Sequence, residues 1–404
     1  MIFVGIDWSE AHHDVCVLDV EGRVVAKGRV PEGVEGLARL HVLVGSHAEE
    51  PSDVVVGIEL DRGLLVGALV AADYEVHAVN PLSVDRYRDR HRTSGAKSDP
   101  GDARVLADLV RTDRHLHRKV AGDTELAEGV KVLARAHQGL IWARQRHLNQ
   151  LRNALREFYP AALQAFGTDL ASADALAVLS VAPTPAEGRS ISSARIAAAL
   201  KRAGRRRRVS ERAREIQAAL RSPQLEAPEV LTRAYGEVVR STVRIVAEMT
   251  EQVETLQREL EARFEEHPDA EILRSLPGLG SVLGARVLAE FGDDRTRYAD
   301  PKARKNYAGT SPITKASGRS RVALARFARN RRLADALDMW AFCSLMSSDG
   351  GRRYYSAHRA RGKTHRQALR SLANRWVGIL HGCLRQRQLY REDVAWPTSA
   401  EVAA

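Results

Sequence analysis

Ile2-Phe3-Val4-Gly5-Ile6-Asp7 is an apolar run closed by a carboxylate, and the pattern returns at Val54-Val55-Val56-Gly57-Ile58-Glu59. Short apolar runs rich in β-branched residues read as buried strands. An acid that closes such a strand is costly to desolvate unless it points into a site or binds a cation. Laid side by side and parallel, the two strands would set Asp7 and Glu59 close together. Two further acids stand in Lys97-Ser98-Asp99-Pro100-Gly101-Asp102-Ala103, where Pro100 opens a helix expected to run to about Arg111. Asp99 and Asp102 are three positions apart and so share one helix face.

The surrounding chain reads as α/β. His13–Val20 and Arg23–Val30 are β-rich and joined at Glu21-Gly22, which suggests a hairpin. Val34, Leu37, Leu40 and Val44 recur at helical spacing, a helix is expected over 63–72, and a strand at Glu75–Val79 is stopped by Asn80-Pro81. Strand, hairpin, helix, strand, helix, strand, helix is the order of an RNase H-like domain, here residues 1–122. Four converging carboxylates would repel one another unless neutralised, and hard oxygen ligands suit Mg²⁺ or Mn²⁺. Two such ions roughly 3.5–4 Å apart can activate a nucleophile and stabilise a leaving oxygen. Taken singly, each acid has another role open to it. Asp99 can cap the helix, Asp102 can favour its dipole, and Asp7 can cap the turn before the hairpin.

Lys and Arg number 62 against 51 Asp and Glu, a net charge of +11, which suits a polyanionic partner such as nucleic acid. Cys16, Cys343 and Cys383 are far apart and imply neither a disulfide framework nor a zinc knuckle. No basic leader opens the chain and no run reaches the ~20 apolar residues that span a bilayer. A cytoplasmic, nucleoid-associated protein without a membrane partner is therefore expected.

Residues 123–268 read as a helical coiled-coil region with a basic insert. Tyr235, Val239, Thr242, Val246, Met249, Val253, Leu256 and Leu260 alternate steps of four and three, a heptad seam. Ile141, Arg144, Leu148, Leu151, Leu155 and Phe158 give a weaker version. Between them lies a looser stretch with Pro183, Pro185 and Gly188, then Arg205, Arg206, Arg207 and Arg208, candidates for phosphate contact. The seam suggests a homodimer or tetramer. Residues 269–390 form a helical, basic third region, and 391–404 a tail frayed from Trp396 onward.

Val4-Gly5-Ile6-Asp7, Val56-Gly57-Ile58-Glu59, Val79-Asn80-Pro81 and the 97–103 segment together resemble the DEDD transposases of insertion-sequence family 110, relatives of the pilin-gene invertases. The resemblance runs through nearly the whole chain. It implies a RuvC-like first domain, similar to Holliday-junction resolvases, then a coiled coil and a mostly α-helical C-terminal transposase domain. It also implies a recombinase guided by a structured (bridge) RNA that pairs with donor and target DNA. Leu276-Pro277-Gly278-Leu279-Gly280 resembles a helix-hairpin-helix turn, whose backbone N–H groups at Gly278 and Gly280 can meet phosphate. The family has a nucleophilic serine before a glycine in the segment Lys315-Ala316-Ser317-Gly318-Arg319-Ser320-Arg321, which implies Ser317, with Ser311 and Ser320 as the alternatives. A serine hydroxyl needs activation; Lys315, Arg319 and Arg321, with Lys97 beside the acids, would meet phosphate charge. The chain departs from the family in having Ser9-Glu10 where a lysine is common, and an unbroken Val322–Phe327 after the serine.

Three other readings compete. An actin- or sugar-kinase-type ATPase needs a second phosphate-binding hairpin, and the heptad seam occupies that place. A non-catalytic scaffold leaves the four acids unused. A junction nuclease cutting by metal-activated water leaves the last 120 or so residues unexplained.

Overall fold

A computed structural model describes residues 1–91, 99–120, 122–317, 320–324, 326 and 329–397. The chain divides into two units, Met1–Thr124 with Asp294–Arg297, and Glu125–Asp293 with Tyr298–Ala404.

The first unit is built on a six-stranded sheet of β1 (Ile2–Trp8), β2 (His12–Leu18), β3 (Val24–Pro31), β4 (Val54–Ile58), β5 (Glu75–Ala78) and the two-residue β6 (Arg118–Lys119). Their order across the sheet is β3-β2-β1-β4-β5-β6. The expected hairpin is β2–β3, with Gly22 at φ 82° in its turn, a left-handed backbone that favours glycine. β1, β4 and β5 run parallel, with Ile6 opposite Ile58. Asp7 and Glu59 each follow that pair by one position, so the expected neighbouring strand ends are present. Helices α1 (Val34–Gly45) and α2 (Leu64–Ala71) connect the strands, and α3 (Pro81–His91) and α4 (Asp99–Asp113) follow β5.

Strand alternation divides the core. Ile2, Val4, Ile6, Val54, Val56 and Ile58 face one layer with Leu40, Val44, Val66 and Leu69 of α1 and α2. Phe3, Cys16, Leu18 and Val55 face the other with Ala103, Leu106, Ala107 and Val110 of α4, a helical i, i+3, i+4, i+7 stripe. Two glycines decide how closely α4 approaches. A Cβ on Gly5 would stand 1.8 Å from the Ala103 carbonyl oxygen, and one on Gly57 would stand 2.6 Å from that of Leu106. Gly5 and Gly57 are register partners on adjacent strands. The helix backbone therefore lies directly on the strand backbone there. Since Asp7 and Glu59 follow these glycines by two positions, they belong to the same sheet face as α4.

In the second unit, α5 (Glu125–Phe158) is followed by α6 (Pro160–Phe166), α7 (Ala173–Val181), α8 (Pro185–Ser190), α9 (Ser193–Arg202) and α10 (Val209–Leu220), then α11 (Glu229–Glu265). α5 and α11 pair antiparallel. Leu151, Leu155 and Phe158 share a core with Val239, Val243 and Val246, while Val130 and Ala134 share another with Leu260 and Phe264. This corrects the reading of the heptad seam. Val239, Thr242, Val246, Val253 and Leu260 are buried inside the chain, because the partner that fills the seam is α5 of the same chain. The supposedly looser stretch is helical as well. Thr184 and Glu187 form a capping box with Pro185 in the first turn of α8, and Ser192 caps α9, so its prolines and serines mark helix starts.

The C-terminal part of this unit contains α12 (Ala270–Ser275), α13 (Ser281–Phe291), α14 (Pro301–Tyr307), the hairpin β7 (Ile313–Ser317) and β8 (Ser320–Leu324), α15 (Arg331–Ser344), α16 (Asp349–Ala360), α17 (His365–Gln386) and α18 (Glu392–Ala395). Trp340 and Trp376 stack at its centre with ring centroids 5.7 Å apart. Each buried indole has a hydrogen-bond acceptor, the Pro277 carbonyl for Trp340 and Ser344 Oγ for Trp376. Trp396 is docked rather than frayed. It packs on Trp376, lies under the Arg375 guanidinium, and its Nε1 donates to Tyr390 Oη at 3.1 Å. Among the described residues, no helix is long and apolar enough to cross a membrane.

Candidate metal and strand-transfer site

β1 ends at the sheet's carboxyl edge with Asp7 half-buried, and β2 places Asp14 directly opposite it in the antiparallel register. Glu59, exposed, follows the last residue of β4, while α4 brings Asp99 and the buried Asp102 from its first turn. Burial, followed by the charges of Asp102, Asp99, Glu59 and Asp14, pushes the Asp7 carboxyl up to about 6 from an ordinary 3.8. Asp7 thus lies in the electrostatic field of the other three acids singled out in the sequence.

His12, Asp14, Arg29 and Arg88, which sequence reasoning missed, border Asp7, Asp99 and Asp102, and Tyr87 sits behind them. Asp14 is buried and pairs with Arg29, Nη2 to Oδ2 at 2.7 Å and Nε to Oδ1 at 3.1 Å. Arg29 also reaches to 3.9 Å from Asp99 Oδ2. Arg88 of α3 donates from Nη2 to Asp102 Oδ1 at 2.5 Å. α3 is held against α4 by Tyr87, whose hydroxyl donates to Asp108 at 2.5 Å. His12, Asp14 and Asp99 each offer a ligand atom within 4.8 Å of the others. Strand alternation was the available signal, since His12, Asp14, Cys16 and Leu18 fall on one side of β2. Arg29 and Arg88 gave no local signal, because only the register and the helix crossing bring them in.

The donor set is almost wholly carboxylate oxygen, the chemistry that suits a hard divalent cation. The acids are balanced unequally by their neighbours. Asp14 and Asp102 have guanidinium partners, whereas Asp7 meets its surroundings by holding its proton more tightly.

The other candidates divide by their partners. Arg205 is ion-paired to Asp174 at 2.6 Å and Arg208 to Glu211, so these two are held by the protein itself. Arg206 and Arg207 are exposed, and no ion pair engages them among the described residues. Gly278, at φ 83°, lies against the backbone of Cys343 and Ser344, which gives the turn a packing reason for that glycine. Gly280 is exposed and precedes α13. Ser317 is exposed at the end of β7, opposite Ser320 of β8. Ser311 is half-buried, its N–H 3.5 Å from the Lys305 carbonyl. Lys315 and Arg321 are strand residues whose side chains lie outside the described residues, as do Lys97 and Arg319 altogether.

Residues 4–160 match the DEDD transposase family of IS110, and residues 270–356 match the transposase IS116/IS110/IS902 family. The chain is 44% identical over 407 residues to the candidate transposase of the IS117 mini-circle from Streptomyces coelicolor, covering 100% of this chain and 98% of that protein. It is 31% identical over 393 residues to an uncharacterized 44.8 kDa protein of insertion element IS116 from Streptomyces clavuligerus, with 96% of each chain covered. An uncharacterized 42 kDa protein of IS900 from Mycobacterium paratuberculosis is 30% identical over 393 residues, covering 96% of this chain and 97% of that one.

Proposed function

Because this chain belongs to the IS116/IS110/IS902 family of insertion-sequence transposases, enzymes that cut and rejoin DNA, we propose that it is an RNA-guided recombinase using a carboxylate-held divalent metal and a serine nucleophile. The observation that carries the reading is the field at Asp7, which feels the charges of Asp102, Asp99 and Glu59 together. Asp7, Glu59, Asp99 and Asp102 would hold Mg²⁺ or Mn²⁺, with Asp14 and His12 at its flank. The bound ion would neutralise these acids and polarise a phosphodiester of the element ends or target. Arg29 and Arg88 orient Asp14 and Asp102 by hydrogen bonding to them.

Ser317 supplies the nucleophile. Its exposure at the end of a β-strand lets a phosphodiester reach it. Attack by Oγ on phosphorus forms an O–P bond as the bond to the departing strand oxygen breaks. The hydroxyl proton leaves to a base and the strand oxygen takes one up. The phosphoserine link conserves the bond for rejoining, and a structured guide RNA selects donor and target.

Self-association into a dimer or tetramer would bring the carboxylates of one subunit to the serine of another. The residues for it are not those of the buried seam. α11 leaves Leu231, Val238 and Ile245 exposed at seven-residue spacing, a stripe suited to a second copy.

The test incubates purified protein with the element's RNA, labelled DNA ends and Mg²⁺. Wild type should give a denaturation-resistant protein–DNA adduct and joined product, and Ser317→Ala should give neither. Cleavage persisting in Ser317→Ala while failing in Asp102→Asn would replace the serine step with hydrolysis by activated water.

A further inference from the structure

Residues 350–391 contain 11 Lys and Arg and no Asp or Glu. The rest of the chain is balanced, with 51 basic against 51 acidic residues, so the whole net charge of +11 is concentrated in this stretch. It forms the hairpin of α16 and α17. Gly362, at φ 78°, makes the turn, and Tyr355 Oη stands 2.7 Å from His365 Nδ1 across it.

Elsewhere in the second unit Arg233 is paired to Glu229, Arg240 to Glu187 and Arg212 to Glu215. Of the seven cations from Arg352 to Arg370, only Arg352 has a carboxylate within ion-pair distance among the described residues, namely Asp349. Arg353, Arg361 and Arg366 are exposed. His358 registers the resulting field, since Lys363 and Arg361 add to burial in disfavouring its charged form. Asp338 offsets part of the charge at Arg366 and Arg370, but cations this dense on one helical hairpin still repel one another, which is costly unless a polyanion covers them.

We propose that the α16–α17 hairpin is a docking surface for the phosphate backbone of duplex DNA, gripping it without reading its sequence. DNA is the partner because it is the polyanion this enzyme class must hold while cutting and rejoining it. The inference rests on family membership and not on the metal, serine or guide-RNA steps.

The test measures fluorescence anisotropy of the full chain with a random 30-base-pair duplex, in EDTA and without RNA, from 50 to 300 mM salt. Such a measurement is blind to catalysis, so its failure leaves the Proposed function standing. Arg353→Ala/Arg361→Ala/Arg366→Ala should weaken binding at least about tenfold at 50 mM salt and flatten the log–log salt slope by about 3, near 0.9 for each phosphate no longer neutralised. The corresponding triple lysine variant should keep the slope, and Arg233→Ala should not change it. Should the triple alanine protein melt early, each single substitution should still remove about 0.9 from the slope. An unchanged slope overturns the proposal, as does a parallel titration in which the triple alanine variant loses affinity for a single-stranded RNA of the same length but not for the duplex.

Discussion

Replacing Asp7 with asparagine should make the protein more stable while abolishing its chemistry. The Asp7 carboxyl rises from 3.8 to about 6 on folding. A rise of that size corresponds to a ceiling of about 3 kcal/mol. Asp7 is only half-buried, and solvent screening reduces the figure to ~1–2 kcal/mol. The sign follows from a raised carboxyl. Between about pH 4 and 6 the folded state keeps a proton that the unfolded chain has released. Folding is therefore favoured at the acid end and loses stability as pH rises through 6. Asparagine keeps the shape and removes that loss. Urea unfolding in EDTA, followed by circular dichroism, should show Asp7→Asn ahead of wild type by ~1–2 kcal/mol at pH 8 and nearly level with it at pH 4. Adding Mg²⁺ should reverse the order at pH 8, because only wild type gains binding energy. A variant no more stable than wild type at pH 8 in EDTA would refute the electrostatic reasoning.

Arg88→Ala removes the cation paired to buried Asp102. It should destabilise the protein by about 3 kcal/mol in EDTA yet enlarge the rise in melting temperature on adding Mg²⁺, since the ion no longer competes with a guanidinium. A smaller rise than in wild type would contradict this. Gly5→Ala places a Cβ against the Ala103 carbonyl, which no side-chain rotation relieves. α4 must lift from β1, costing about 1–3 kcal/mol and displacing Asp99 and Asp102, and wild-type melting with wild-type strand transfer would disprove it. Trp396→Ala should lower stability by about 2 kcal/mol because its packing on Trp376 disappears, whereas an unchanged unfolding midpoint would mean the docking carries no energy.

What could be read from the sequence was local. The strands, the hairpin and the start of α4 follow from apolar runs, turn residues and a proline, and acids closing two strands announce themselves by their desolvation cost. Asp14 was hidden because it lies within a strand, where its facing depends on the register with β1. Arg88 and Arg29 were hidden for the same reason, their partners being 14 and 15 residues away across helix and strand pairings. Periodicity identified the buried face of α11 but cannot say which helix fills it, and α5 does. Prolines and serines around position 185 looked like loop punctuation yet are capping residues. Ser317 came from resemblance alone, since a Ser-Gly pair in a hairpin carries no chemical signature.

The central claim is that these acids gather round a divalent cation. Crystals soaked in Mn²⁺ and measured for anomalous scattering test it directly. The account requires a peak coordinated by oxygens of Asp7 and of Asp102 or Asp99 at about 2.1 Å, absent from Asp102→Asn crystals. At saturating Mn²⁺, no peak between these carboxylates, or one retained in that variant, would contradict it.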